Sequence, residues 1–159
     1  MFRISRRLDY GLQLMVALAA ETDNRAQSPA SLAQKLQIPL PFLHQIGHTL
    51  MQAGVIKATP GPRGGLRLNQ PADSITVLDI VETLEGKVDV NPQTDDETPA
   101  GPNQVVWSGL QATIVQQLST ITLSQLNQIY VQPIVAGQKY LGTIVAEGFE
   151  EIGTASLAG

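Results

Sequence analysis

The polar residues between positions 41 and 49 are the side chains of this sequence best suited to recognising another molecule. Apolar residues recur among them at helical spacing, which leaves a polar face made of Pro41, His44, Gln45, His48 and Thr49. A glutamine on such a face can donate to and accept from the edge of adenine in the major groove of DNA. The pattern therefore predicts that these five residues contact DNA bases.

Basic residues are concentrated in the same part of the chain. Up to residue 72, eight Lys and Arg stand against three Asp and Glu, whereas from residue 73 two stand against eleven. A basic segment on a protein of formal net charge −4 indicates a polyanionic partner for that segment, although a solvated basic surface is the alternative for any one residue. The residues that we expect to contact phosphates, or to act from a wing, are Arg3, Arg6, Arg7, Ser31, Lys35, Lys57, Arg63 and Arg67.

Metal-binding chemistry finds little support in the residue types. His44 and His48 are four apart and could share a transition metal, but no third ligand is evident on the same helix. The acidic run Asp95-Asp96-Glu97 could bind a divalent cation or an effector, and a solvated loop is the alternative. We predict no bound metal and no cofactor.

Catalysis finds no better support. The sequence has no cysteine, which excludes disulfides, thiol nucleophiles, zinc fingers and cysteine-ligated iron–sulfur clusters. The glycines of Gly61-x-x-Gly64-Gly65 lie between two predicted strands, so they do not form a nucleotide-binding loop, which would lead into a helix. We therefore predict that the protein is not an enzyme.

Three helices and a hairpin must position the polar face. The apolar spacing predicts an amphipathic helix over 5–20, a short helix opened by a Ser31-x-x-Gln34 capping box, and a third helix that begins near Pro41 and ends before Gly54. The period then changes to two, which predicts strands at 55–59 and 66–68 joined by a Pro- and Gly-rich turn. This order is that of a winged helix-turn-helix.

The remaining sequence predicts helices outside the winged unit. A Thr76-x-x-Asp79 capping box opens a fourth helix, a long apolar helix follows over about 104–119, and Thr122-x-x-Gln125 opens another. We predict a DNA-binding domain over 1–86, a cysteine-free loop over 87–103, dimerisation helices over 104–130 and a C-terminal extension over 131–159. The fold class is mainly α with a small β-hairpin wing.

The order of these segments and their sequence motifs resemble those of the IscR/NsrR/CymR family of bacterial transcriptional regulators. The resemblance is carried by SRRLDYGLQLMVALA (5–19), SLAQKLQIPLPFLHQIGHTLMQAGVI (31–56), GPRGGLRLNQPADSITVLDIVETLEG (61–86) and WSGLQATIVQQLSTITLSQL (107–126). It implies a homodimer that places each third helix in the major groove, with an interface on the long helix formed by Trp107, Leu110, Ile114 and Leu118.

The chain departs from the family pattern at two places. Cluster-binding members hold three cysteines in the loop that is NPQTDDETPAGPN (91–103) here, although Asp9 matches a fourth ligand of some members. Many members also carry an arginine where Pro60 stands in the wing, and Arg63 could serve from a shifted position. We expect no cluster, so the chain would be switched by a small ligand, a protein partner or its own concentration.

The function that this sequence predicts is that of a homodimeric, sequence-specific DNA-binding transcriptional regulator that acts as a repressor. The alternative is a protein-interaction or small-ligand-sensing module on a regulator-like fold that binds DNA weakly or not at all. With 159 residues, a mean hydropathy of +0.03, no apolar run of membrane-spanning length and no signal peptide, we expect a cytoplasmic protein with no membrane partner.

Overall fold

The computed structural model describes residues 4–90 and 101–131, and within those ranges it has six α-helices and one β-hairpin. The helices are α1 (Arg6–Ala19), α2 (Pro29–Leu36), α3 (Leu40–Gln52), α4 (Val77–Glu85), α5 (Pro102–Thr120) and α6 (Leu123–Val131), and the strands are β1 (Ile56–Thr59) and β2 (Gly65–Leu68). Short 3₁₀ turns lie at Thr22–Asn24 and Ala72–Ser74. The prediction of a mainly helical fold with a hairpin wing is confirmed.

Helix α1 lies at the centre of the fold and packs against α3, α4, β2 and α6. Leu14, Met15 and Leu18 are almost completely buried in the core that the three N-terminal helices and the hairpin share. Leu12 and Val16 are only half-buried. Both line a groove that α1 shares with α2 and α6.

Two of the three predicted capping boxes are present. The hydroxyl of Thr76 accepts from the amide of Asp79, whose carboxylate accepts in turn from the amide of Thr76. Thr122 and Gln125 make the same reciprocal pair, at 2.9 and 3.2 Å. Each box satisfies amides that have no partner within the first turn, so α4 and α6 begin where the sequence predicts.

The prediction that Ser31 caps α2 is wrong. The cap residue is Ser28, three residues earlier, so the helix begins at Pro29, and the hydroxyl of Ser28 accepts from the amide of Ser31 at 3.1 Å. Ser28 followed by Pro29 is the stronger start signal, because proline suits the first helical position, where its missing N–H has no partner to lose. Ser31 is an exposed residue within the first turn.

The hairpin is extended on one edge by the loop that precedes α2. β1 and β2 pair antiparallel, with Lys57 opposite Arg67 and Thr59 opposite Gly65. On the other edge of β2, Gln27 exchanges two backbone hydrogen bonds with Leu66, at 2.9 and 2.8 Å. The wing is therefore tied both to its own hairpin partner and to the start of α2.

The first residues of α4 and α6 lie side by side. The amide of Val77 donates to the carbonyl of Ile121 at 2.9 Å, and the amide of Leu123 donates to the carbonyl of Ile75 at 2.8 Å. Leu123 and Ile75 are both buried, so this bridge is part of the core. Between its two sides the chain runs out along α4 and returns along α5.

Candidate nucleic-acid interface

Helix α3 divides into a buried face and an exposed face. Leu43, Ile46 and Leu50 are at most 1% exposed, which fixes the orientation of the helix. The opposite face holds the predicted base-contact residues, of which Pro41, His44, Gln45 and His48 are exposed and Thr49 is half-buried. A polar face on a helix held rigidly by its other face is what reading base edges requires.

The turn before α3 sets the direction in which this face points. Gln37 has left-handed backbone angles (φ 55°, ψ 37°), which end α2 and turn the chain sharply. Ile38 is buried just after the turn, and the ring of Phe42 meets that of Tyr10 on α1 edge-on, with centroids 5.6 Å apart. These contacts fasten the first turn of α3 to the core.

Thr49 is joined to α1 within the protein. Its hydroxyl accepts from the guanidinium of Arg7 at 2.9 Å and donates to the carbonyl of Gln45 at 3.1 Å. Thr49 was predicted to contact a base and Arg7 a phosphate. The structure brings the two side chains together, so each has a partner within the chain.

The wing places its cations on one face of the hairpin. Lys57 and Arg67 are directly opposed across the strands, and like charges in that position repel each other. The Nε of Arg67 donates to the hydroxyl of Thr59 at 3.0 Å, whereas Arg63 is exposed in the turn. An anion lying along this face would relieve the repulsion.

The other predicted phosphate contacts are spread more widely. Arg6 is exposed in the first turn of α1, and Ser31 is exposed at the start of α2. Lys35 lies in the last turn of α2 and lines a groove with residues of α1 and α6, at the other end of α2 from Ser31. Arg3 lies outside the described residues.

Sequence reasoning missed three residues in the loop before α2. The side chain of Asn24 donates to the carbonyl of Leu68 and accepts from its amide, at 2.9 and 3.1 Å, as a strand neighbour would. Gln27 pairs with β2, and Arg25 lies exposed between these two fixed residues. The sequence offered only a polar run here, because pairing with a strand some forty residues away leaves no local signal.

The described residues offer few side chains that could bind a metal ion together. His44 and His48 are both exposed, and the described residues hold no group of three His, Cys, Asp or Glu side chains that could bind an ion. Asp9, which matches a cluster ligand of some relatives, is exposed and accepts from the side chain of Gln13 at 3.1 Å. Since the sequence has no cysteine, an iron–sulfur cluster held by thiolates does not fit this chain.

Helix α5 has an apolar surface that the described chain covers only in part. Trp107, Leu110, Ile114 and Leu118 fall within an arc of about 80° on the helix, and all four are half-buried. No residue of α5 is fully buried, and Val105 and Val106 are 76% and 62% exposed. An apolar helix left open in this way favours a partner surface.

Comparison with known proteins agrees with this geometry. Residues 4–128 match the Rrf2 family, which is described as an iron-dependent transcriptional regulator. The chain belongs to the Rrf2 family. Because the family consists of transcriptional regulators, the chain is a DNA-binding regulator and not an enzyme.

Individual Rrf2 proteins and structures are similar over most of the chain. The HTH-type transcriptional regulator CymR of Bacillus subtilis is 32% identical over 124 residues, which are 78% of this chain and 88% of CymR. The structure of CymR, the global cysteine regulator of B. subtilis, matches with a TM-score of 0.73 and 31% identity over 81% of this chain and 98% of its own. The structure of IscR from T. potens matches with a TM-score of 0.72 and 26% identity, covering 88% and 96%.

These comparisons confirm the predicted resemblance and the winged-helix fold. The family description names iron, yet the residues present here do not suit a thiolate-bound cluster.

Along the described residues, no helix combines the length and apolar character needed to cross a membrane.

Proposed function

We propose that this Rrf2 protein is a homodimeric, sequence-specific repressor whose DNA binding does not depend on an iron–sulfur cluster. The observation that carries the proposal is the exposed polar face of α3, with Pro41, His44, Gln45 and His48 opposite three buried leucine and isoleucine side chains. A helix of this kind fits the major groove, where each base pair presents a distinct set of donors and acceptors.

The open surface of α5 supports the homodimer. A second copy of the chain would cover the apolar residues around Trp107, Leu110, Ile114 and Leu118, which the described protomer leaves half-exposed. Two-fold symmetry would then present two copies of α3 to half-sites separated by one helical turn of DNA or a multiple of it. We accordingly assign residues 1–86 to DNA binding, 87–103 to a connecting loop, 104–130 to dimerisation and 131–159 to a C-terminal extension.

The absence of cysteine from the sequence supports cluster independence. In such a protein, the DNA-binding conformation is reached without assembling a metal centre, and regulation comes from a ligand, a partner protein or the protein's own concentration. A dimer seated on promoter DNA in the bacterial cytoplasm would exclude RNA polymerase. We therefore expect transcription from a promoter that overlaps the operator to fall on addition of the protein, and a rise in transcription would contradict repression.

The test is selection of bound fragments from a random duplex pool with purified, metal-free protein at two salt concentrations. We expect a two-fold symmetric motif, with log K falling by about 0.9 per phosphate neutralised for each tenfold rise in salt. Recovery of no motif from protein that is folded and dimeric would overturn the proposal. A motif that appears only after iron and sulfide are supplied would overturn cluster independence alone.

A groove beside α1 favours a second candidate, a small-ligand sensor with weak or no DNA binding. It encloses about 450 Å³ and is lined mainly by apolar side chains, among them Leu12, Val16, Leu36 and Leu126. The dye 8-anilinonaphthalene-1-sulfonate, whose fluorescence rises in apolar surroundings, should bind there, and Val16→Trp should block its binding by filling the space. Dye binding of this kind, combined with no selected DNA motif, would support the sensor over the repressor.

A further inference from the structure

A cleft separates the tip of the wing from the loop that leads into α2. It is open to solvent, with a volume of about 830 Å³, and it is lined by Arg25 of the loop and Arg63 of the wing, together with Glu21, Ser28, which caps α2, and Ser31 in the first turn of α2. The two arginines are 38 positions apart in sequence, so the fold alone brings them to one cleft.

The two walls of the cleft are held at a fixed separation. Gln27 and Leu66 exchange two backbone hydrogen bonds, and the Gln27 side chain donates to the carbonyl of Ala17 at 3.0 Å. Gly65 has a φ of +146°, and a Cβ there would collide with the backbone of Gln27, so only glycine permits this close approach. Arg25, two residues from Gln27, therefore keeps its position relative to the wing.

Both guanidinium groups are available to a ligand. Arg25 and Arg63 are exposed, and neither is hydrogen-bonded or ion-paired with another of the residues at 4–90 and 101–131. Glu21 offsets only part of their charge, so the cleft attracts anions. Arginine binds phosphate oxygens with two parallel N–H groups, so a phosphate is the anion that suits a cleft lined by two arginines best.

We propose that Arg25 and Arg63 together grip one backbone phosphate of the bound duplex, from the α2 side and from the wing side respectively. This inference rests on the proposed DNA-binding function and adds Arg25, which the sequence did not indicate. A cleft of this size accommodates several atoms of a sugar–phosphate chain, whereas a free phosphate ion would leave most of it filled with water.

The test measures binding of the selected operator and of a scrambled duplex by fluorescence anisotropy over a range of salt concentrations. Arg25→Ala and Arg63→Ala should each weaken both duplexes about tenfold and lower the slope of log K against log salt by about 1. The double variant should also lower the slope by about 1, because the grip needs both arginines and the loss of either one already releases the same phosphate. Lys87→Ala, which removes a cation outside the cleft, is the matched control and should leave the slope unchanged.

Three results would overturn the grip while leaving the proposed function intact. Arg25→Ala could behave like Lys87→Ala, or the double variant could lower the slope by about 2, which would mean two separate phosphates. Inorganic phosphate at constant ionic strength could raise the melting temperature of the parent but not of Arg25→Ala, which would make the cleft a free-anion site. Failure of the parent to bind any duplex would instead overturn the proposed function and the grip together.

Discussion

At the residue scale, the sequence predicted which side chains of α3 face outwards but not which of them already have partners. Leu43, Ile46 and Leu50 recur at helical spacing, and the structure buries all three. Thr49 follows the same pattern as the exposed residues, yet Arg7 reaches it from α1. Periodicity describes one helix at a time, so a contact between two helices lies beyond it.

Gln45 provides the most direct test of the recognition face. Gln45→Ala should cost about 1–3 kcal/mol of binding free energy and relax the preference at one base position, because the amide's bidentate contact with a base is lost. Competition binding with operator variants measures both effects. The control is Gln52→Ala, which removes the same kind of side chain from the last turn of α3 and should leave the preferred DNA sequence unchanged. An unchanged sequence preference in Gln45→Ala would contradict the placement of Gln45 on the face that reads DNA bases.

The hydrogen bond between Arg7 and Thr49 allows a test of whether Arg7 stabilises the fold or contacts a phosphate. In a double-mutant cycle with Arg7→Ala and Thr49→Val, we expect a coupling of about 0.5–1 kcal/mol in the free energy of unfolding in urea. If Arg7 contacts a phosphate in the complex, Arg7→Ala alone should reduce the salt dependence of DNA binding. A coupling of zero would show that its hydrogen bond to Thr49 adds no stability to the free protein. Thr49→Val alone should not change that salt dependence.

At the scale of elements, local sequence signals were reliable where the structure they specify is local. The Thr76 and Thr122 boxes each involve residues three apart, and both form. The pairing of Gln27 with Leu66 joins residues 39 positions apart, and nothing in the polar run 21–27 indicates it. The candidate cleft at Arg25 was missed for the same reason, since it exists only once the loop and the wing are side by side.

Close packing of α1 on α4 depends on Gly11. A Cβ at this position would overlap the end of the Leu84 side chain, so Gly11→Ala should destabilise the fold by about 1–3 kcal/mol in urea denaturation. Leu84→Ala opens space at the same point, so the double variant should be less destabilised than the sum of the two single variants. Strict additivity would show that the two residues do not compete for one volume.

At the scale of the whole molecule, the half-exposed apolar surface of α5 is where the proposed homodimer would assemble. Ile114→Glu introduces a charge in the middle of the predicted interface and should convert the dimer to monomer, weakening operator binding because two linked half-sites become one. Sedimentation velocity measures the assembly state. Gln116→Glu adds the same charge on the opposite side of α5 and should remain dimeric; dimeric Ile114→Glu would place the interface elsewhere.

The bridge between the starts of α4 and α6 has a consequence for how this architecture can be altered. Because the amides of Val77 and Leu123 donate to the carbonyls of Ile121 and Ile75, the backbone at the start of α4 and the backbone at the start of α6 are held side by side. Residues inserted or deleted between α4 and α5 lie between the two sides of this bridge. We therefore expect such changes to leave its two hydrogen bonds in place. A reporter or a new sensing loop could therefore be grafted between α4 and α5 without changing the proposed DNA-binding surface.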